Sequence, residues 1–376
     1  MTTPVTVIGA SIAGLYAGSG LAEQGIPVTL HEARPRLSPN PRTLIVTPAW
    51  LRLLDFDASR AVLNRIHAFE LVSRSESARI PLKDPDVILE RQRFMDLLID
   101  RLQRAGGTIN LGHRLEQIVP HGTGYDLHLR NGTGTLRTRA TRVIGADGIH
   151  GVTRDIVTNG HAEPVALLQV RVPMPGDLDP DTVRVVFDRR ETRFFYWLIP
   201  ESRRTAVAGL IHDTPAQAEE ALGDFLSAHD LEPLEYQAAQ VPMPPLRFAK
   251  NGTDEQLLLV GDAAAQVKTT TVGGVVTGMR GAQAAANAIL RGTSYSRELR
   301  ALRRELSAHT VLRAVLDGFT DEDYDTLLRL LNHGATRILA AQTRDELARG
   351  LWWRLIRAQP RWLSLTARAL VRQATR

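Results

Sequence analysis

"VTVIGASIAGLYAGSGLAEQGIPVTLHEA", residues 5–33, decides how this chain begins to fold. Val5–Ile8 has the make-up of a short buried strand. A small-residue turn, Gly9–Gly14, follows, and a helical stretch runs from it to Gln24. Gly25 stops that helix, and a second strand, Pro27–Glu32, ends in an acid. Strand, helix and strand within about 30 residues make one βαβ unit, whose crossover is expected to be right-handed. The turn "GASIAG" (9–14) is G-x-G-x-x-G with Ser11 in the place of the middle glycine. Gly9 permits the tight turn off the strand, and Gly14 lets the helix pack closely on the sheet. The helix N-terminus then offers free N–H groups and a partial positive charge to a pyrophosphate, with Ser11 small enough for close approach. Glu32, 18 residues after Gly14, stands where an acid accepts ribose hydroxyls. By itself the unit fits a dinucleotide site or a turn in another α/β protein.

Two later stretches narrow the choice. "VIGADGIHGVTR" (143–154) reads as strand, glycine, Asp-Gly. "LLLVGDAAAQVKTTTVGG" (257–274) reads as strand, Gly-Asp, glycine pair, and leads into a small-residue helix. Glycines at a helix start let amide N–H groups come close to a bound ring, and the helix dipole favours negative charge there by about 0.3–2 kcal/mol. Between these motifs, prolines 35, 39, 41 and 48 mark an extended, irregular passage, and "ILERQRFMDLLIDRLQRAGG" (88–107) has helical spacing and a Gly-Gly stop. Residues 108–145 alternate as strands broken by "HGTG" and "NGTG" turns. From 160 to 250, "PVALLQVRV", "TVRVVF", "FFYWLI" and "TAVAGLI" read as strands of a separate sheet, and after 283 nearly everything reads as helix.

The expected fold class is therefore α/β. A Rossmann-type nucleotide-binding domain lies in two pieces, 1–160 and 245–290. An inserted antiparallel sheet (161–244) serves the substrate, and a helical C-terminal region (291–376) ends in a basic tail. The 376 residues suit two or three interlocked units. The chain has no cysteine, which excludes disulfides, thiolate metal sites and cysteine nucleophiles. The 11 histidines lack ligand spacing, so no metal is expected. No apolar, glycine-poor stretch is long enough to span a membrane. Residues 1–22 carry no Lys or Arg, so no signal-peptide n-region is read. The expected location is cytoplasmic, with peripheral contact at the inner membrane surface as a further option.

The three motifs, in this order, resemble the FAD-dependent oxidoreductases of the p-hydroxybenzoate hydroxylase class, which includes the geranylgeranyl reductases. The resemblance spans residues 1–290 and implies FAD as cofactor. It implies that Gly9, Ser11 and Gly14 face the pyrophosphate and Glu32 the adenosine ribose. Asp147 and Gly148 are implied near the pyrophosphate, and Gly261 and Asp262 at the ribityl or phosphate portion. Gly273 and Gly274 are implied beside the isoalloxazine ring, and Arg91 at an FAD-contacting position. Hydroxylases of the class continue from Gly-Asp-Ala-Ala into His and a Pro-rich turn. "QVKTTTVGGVVTG" (266–278) is instead similar to the reductase pattern G-D-A-A-G-Q-V-K-P-T-T-G-G-G-I, from which Ala265, Thr269, Val272 and Val275 depart.

"FYWLIP" (195–200) resembles the reductases' Y-x-W-x-F-P, which implies that Phe195 and Trp197 line an apolar prenyl pocket. The same spacing also describes one buried face of an ordinary strand. The halogenases' W-x-W-x-I-P fits less well, because Phe195 replaces its first Trp. "NPRTLIVTPAW" (40–50) stands where many reductases carry a cysteine, so cysteine-assisted protonation is not available. The resemblance implies reduction of C=C bonds in a polyprenyl lipid or related isoprenoid, with an aromatic or polyketide monooxygenase as the alternative. The partners implied are an apolar isoprenoid or other small molecule and an electron donor such as NADPH or ferredoxin. From 347 to 376 there are seven arginines and no acid, with Trp352, Trp353 and Trp362 among them. Such a tail fits a membrane interface or helices packed with their arginines in water. No nucleic-acid-binding motif accompanies it.

Overall fold

The structure is a computed structural model and describes residues 3–37, 42–132, 134–157, 164–243, 255–332 and 361–374. β1 (Val5–Ile8) and β2 (Val28–Glu32) flank α1 (Ile12–Glu23), as the opening stretch requires. With β6 (Thr108–Leu111), β10 (Arg142–Gly145) and β16 (Leu257–Leu259) they form a parallel sheet in the order β16-β10-β1-β2-β6. β1 lies at its centre with Val5, Val7 and Ile8 buried, as expected of a strand covered on both faces. β1 connects to β2 on one side and pairs with β10 on the other. The crevice beyond their carboxyl ends is the topological switch point where open α/β sheets bind ligands.

Seven of the twelve residues of α1 are Ala, Gly or Ser, so it packs closely on the sheet and on α5 (Val275–Arg291). α2 (Arg91–Arg104) is amphipathic and buries Phe94, Met95, Leu98, Ile99 and Leu102. Glu90 caps it, its carboxylate accepting from the N–H groups of Gln92 (3.0 Å) and Arg93 (2.8 Å).

A second, eight-stranded sheet draws on two parts of the chain. β3 (Thr43–Val46), β4 (Val62–Val72) and β5 (Ser77–Glu90) supply one end. β11 (Pro164–Pro173), β12 (Thr182–Val186), β13 (Tyr196–Pro200), β14 (Thr205–His212) and β15 (Glu235–Pro242) supply the rest. The two groups join through a parallel β12–β4 pair. The passage marked by prolines 35, 39, 41 and 48, expected to be extended and irregular, contains β3, and the stretch that follows it to residue 90 holds β4 and β5. Its period-2 signal is broken by Pro81 and Pro85 and by register shifts at Val62/Asn64 and Ile66/Ala68. A three-stranded sheet, β7 (Arg114–His121), β8 (Gly124–Asn131) and β9 (Gly134–Ala140), completes the strands.

One face of the large sheet packs on α4 (Pro215–Ala228), where Tyr196 stacks on Phe225 with ring centroids 4.6 Å apart. The alternate residues of the same strand region, Phe195, Trp197 and Ile199, belong to the opposite face. α3 (Val152–Val157) follows β10, and the short α6 (Tyr295–Glu298) leads into α7 (Arg300–Asp317) and α8 (Asp321–Leu330). A last helix, Arg361–Ala374, packs on α7. Residues 333–360, with Trp352, Trp353 and three of the tail arginines, lie outside the described residues. Among the described residues no helix is long and apolar enough to cross a membrane.

His31 on β2 stacks against His113, with Nδ1 atoms 3.2 Å apart, so one ring must donate and the other accept. Burial, and then His113, push His31 down to about 4 from the ordinary 6.5. The unfolded chain therefore takes this proton first as pH falls. The stability that neutral His31 contributes is fully present above pH 6.5 and is lost progressively towards pH 4. The effect at pH 5 is expected to be about 1–2 kcal/mol after discounting for solvent screening. Thermal melts from pH 7 to pH 5 should show a shallower loss in His31→Gln than in the parent. Identical slopes would remove His31 as the cause.

Candidate active site

The turn after β1 is pressed against the turn after β10. Gly9 has φ +99°, and a Cβ there would stand 2.5 Å from the Ala146 carbonyl oxygen. At Gly14 a Cβ would come within 2.3 Å of the Gly9 carbonyl and 2.8 Å of Ala146 Cβ. Ser11 caps α1, its Oγ accepting from Gly14 N–H at 3.2 Å. Glu32 holds the same turn from the other side: one carboxylate oxygen accepts from Ala10 N–H (2.8 Å) and the other from Arg34 N–H (2.9 Å). Asp147 is likewise turned onto its own loop, accepting from the Thr153 N–H (3.0 Å) and from the Thr153 hydroxyl. Burial raises its carboxyl above the usual range, and the Thr153 bonds oppose this.

The 261–278 segment is preorganised by Gln266. Its Oε1 accepts from Gly261 N–H (2.8 Å), and its Nε2 donates to Tyr295 Oη (3.1 Å). Tyr295 in turn donates to the Leu259 carbonyl at 2.5 Å. Gly281 on α5 leaves the room: a Cβ there would fall 1.8 Å from Gln266 Oε1. Lys268 and Gly273 form an antiparallel bridge that closes a tight loop.

Ala265 (φ 50°) and Val272 (φ 53°) are left-handed, and both stand where the reductase pattern has glycine. The backbone keeps the glycine conformation although the glycines are gone, at about 1–2 kcal/mol per residue. Ala265→Gly should therefore stabilise the protein by about 0.5–1 kcal/mol, against the usual direction for a new glycine. A lowered melting temperature would contradict the strain assigned to this position.

Three guanidiniums surround one carboxylate. Arg91 opens α2, and its N–H donates to the Arg42 carbonyl (3.0 Å), which ties the start of β3 to the helix. Arg154 Nη1 donates to the Asp262 carbonyl at 3.3 Å. Burial raises the Asp262 carboxyl, opposed by Arg42, Arg91 and Arg154. Burial also pushes Arg42 down to about 10, helped by Arg91, and it lowers Arg91 as well. Arg42 Nε is buried with no hydrogen-bond partner among the described residues. Three guanidiniums face Asp262, with Glu32, Glu90 and Asp155 on the outer side of the arginines, so the cluster presents cations to an anionic ligand such as a pyrophosphate. Among the described residues no group of carboxylates and histidines could hold a metal ion.

These elements open into a cavity of about 530 Å³. Ser11, Arg91, Gly148, Gly261, Asp262, Gly273 and Gly274 line it, and so do Phe195 and Trp197. Gly9, Gly14, Glu32 and Asp147 are not on its wall and act by shaping the turns that are. The large sheet and α7 contribute an apolar wall, built from Phe69, Leu71, Val183, Phe195, Trp197 and Ile199 of the sheet region and Leu312 and Leu316 of α7. Gly209 on β14 makes room for the indole: a Cβ there would meet Trp197 Cζ2 at 2.6 Å. Phe195, Trp197 and Ile199 of "FYWLIP" thus form a strand face that is packed in the core and also lines the cavity.

The sequence pointed to no site role for Arg42 or Arg313 and offered Thr270 and Thr271 only as matches to the reductase pattern, yet all four are on the wall. Arg42 carries no motif, although it sits in the quoted 40–50 stretch. Arg313 reaches the wall only because α7 folds over the cavity.

The profile of a family described as "FAD binding domain" matches residues 2–313. The chain is 28% identical over 359 residues to Digeranylgeranylglycerophospholipid reductase 2 of Methanothermobacter thermautotrophicus, covering 88% of this chain and 92% of that protein. It is 26% identical over 309 residues to aklavinone 12-hydroxylase RdmE of Streptomyces purpurascens, covering 69% of this chain and 57% of that one. Among solved structures it is similar to a geranylgeranyl bacteriochlorophyll reductase-like protein of Thermoplasma acidophilum. That match has a TM-score of 0.77 and 18% identity, and it covers 97% of this chain and 99% of the other.

Proposed function

The chain belongs to the FAD-binding domain family, and from that premise we propose that it reduces C=C bonds of a polyprenyl, geranylgeranyl-type lipid or a related isoprenoid. The observation that carries this reading is that one cavity is lined both by the cationic glycine turns and by an apolar wall of the large sheet and α7. A prenyl chain gains about 25 cal/mol for each Å² of apolar surface it buries there and needs few polar contacts. The similarity to a digeranylgeranylglycerophospholipid reductase over most of both chains supports the same class.

The residues fit FAD. Gly9, Ser11 and Gly14, with the α1 N-terminus, would take the pyrophosphate, and Gly148 would flank it. Arg42 and Arg91 would neutralise its charge. Glu32 keeps lone pairs free beside its two backbone bonds, enough for the adenosine ribose. Gly261 and Asp262 would hold the ribityl portion, and Gly273 and Gly274 would lie against the ring, where no Cβ intervenes. Asp147 would act by fixing the Gly148 turn. FAD, when bound and reduced, supplies a hydride equivalent. Phe195, Trp197 and Ile199 would orient the alkene and exclude water. The division of labour would follow the sheets, the parallel one serving the cofactor and the large one the substrate.

NADPH or a ferredoxin-type carrier would supply the electrons. Leu370 (44% exposed) and Val371 (64% exposed) on the last helix, beside the arginine-rich tail, support peripheral contact with the cytoplasmic face of a membrane.

The test uses reduced holoenzyme, a geranylgeranyl lipid and labelled oxygen. The expected product has gained hydrogen and carries no label. A hydroxylated, labelled product would replace this reading with that of a monooxygenase.

A further inference from the structure

We infer that Thr270 and His309 form the proton-delivery couple of this cavity. This rests on the reductase reading, because saturating an isolated alkene needs a proton as well as a hydride, inside a chamber built to exclude water. Thr270 lines the cavity from the Lys268–Gly273 loop, three residues before the glycine pair 273–274 begins. Its Oγ1 is 2.7 Å from Nδ1 of His309, which lies behind it on α7 and is itself buried.

Among the described lining residues there is no histidine, and Asp262 is the one carboxylate, occupied by the arginine cluster. Thr270 is the lining hydroxyl that shares a hydrogen bond with an imidazole, the side chain whose proton moves readily near neutral pH. α7 also places Leu312 and Leu316 on the cavity wall, so the histidine and the apolar wall share one helix. Charged groups near His309 are Lys268 on the same loop and Glu305 and Arg313, one turn away on either side along α7. Arg280 of α5 pairs with Glu305 at 2.6 Å, and Arg193 lies beyond Arg313, whose Nη2 donates to the Arg193 carbonyl.

The step balances as follows. The π bond breaks, and one carbon takes a hydride from the reduced cofactor, which is thereby oxidised by two electrons. The other carbon takes the proton of the Thr270 hydroxyl. The imidazolium of His309 passes its Nδ1 proton to Thr270 Oγ1, so no alkoxide accumulates, and solvent later reprotonates the neutral ring. Thr270 is then the proton donor, and His309 acts through it.

The test compares Thr270→Val, Thr270→Ser and His309→Gln in anaerobic single turnovers of reduced holoenzyme with a geranylgeranyl lipid. Thr270→Val should slow flavin reoxidation about 100-fold, a usual worth of general acid catalysis. Flavin content and lipid affinity should stay unchanged, and Thr270→Ser should recover most of the rate. The parent rate should fall as pH rises through the imidazole titration, and His309→Gln should lose that limb. Independently of turnover, imidazole nitrogen NMR of the oxidised holoenzyme should show the His309 titration displaced in Thr270→Val. A Thr270→Val rate equal to the parent's, or a pH limb kept in His309→Gln, would overturn the couple alone. A parent that reduces no prenyl lipid would take down the reductase reading and the couple together.

Discussion

Gly14→Ala is expected to give a protein purified largely without FAD and less stable by about 2–3 kcal/mol, the scale of overpacking in a rigid contact. The added methyl has nowhere to go. It would stand 2.3 Å from the Gly9 carbonyl, which is backbone, and 2.8 Å from Ala146 Cβ. Relief requires α1 to lift from the β10 turn, and that moves the helix N-terminus away from where a pyrophosphate would sit. The control lies on the same helix. Gly20 has nothing within 4 Å of an added Cβ, so Gly20→Ala should keep its flavin and gain about 0.5–1 kcal/mol of helix propensity. Flavin content by absorbance and melting temperature read both variants. If the two behave alike, the close approach of these turns is not what the site depends on.

Asp262→Ala should be nearly as damaging, for an electrostatic reason. The carboxylate is half-buried on the cavity wall and lies among Arg42, Arg91 and Arg154. Removing it leaves guanidiniums without their counter-charge, which costs about 1–2 kcal/mol, less than for a fully buried pair because the group lines an open cavity. An added dianion should then matter more than in the parent. Inorganic pyrophosphate is expected to raise the melting temperature of Asp262→Ala further than that of the unsubstituted protein. Equal shifts would mean that the cations do not converge on a common anion site.

The parts of the site legible in the sequence are those where backbone approaches backbone. A glycine at 9, 14, 148 or 261 is visible because almost no other residue fits a positive φ or a 2.5 Å clearance, so the motifs carry their geometry with them. Arg42 could not be read this way, since an arginine in a proline-rich passage is ordinarily solvated. Its importance comes from β3 packing beside α2, a contact that links it to Arg91 through one backbone bond. The same holds for Thr270 and His309, which are 39 residues apart and meet only because α7 returns over the glycine loop.

The strands between 43 and 90 were hidden for another reason. β4 and β5 are long but half exposed, interrupted by bulges, and β4 pairs with β12 more than 100 residues later. Periodicity reports the environment of a single strand, and here that environment changes along its length. The left-handed Ala265 and Val272 mark a different limit. Neither alanine nor valine announces a positive φ in a sequence, so the strain at these two positions becomes visible only in the backbone.

The most direct measurement is an anaerobic one. The purified holoenzyme is fully reduced, a geranylgeranyl lipid is added, and the return of oxidised-flavin absorbance is followed while the lipid is analysed for added hydrogen. Prompt reoxidation, with two hydrogens gained per flavin oxidised, is the result expected of a reductase. A flavin that stays reduced with every prenyl lipid and reacts only when oxygen is admitted would contradict it.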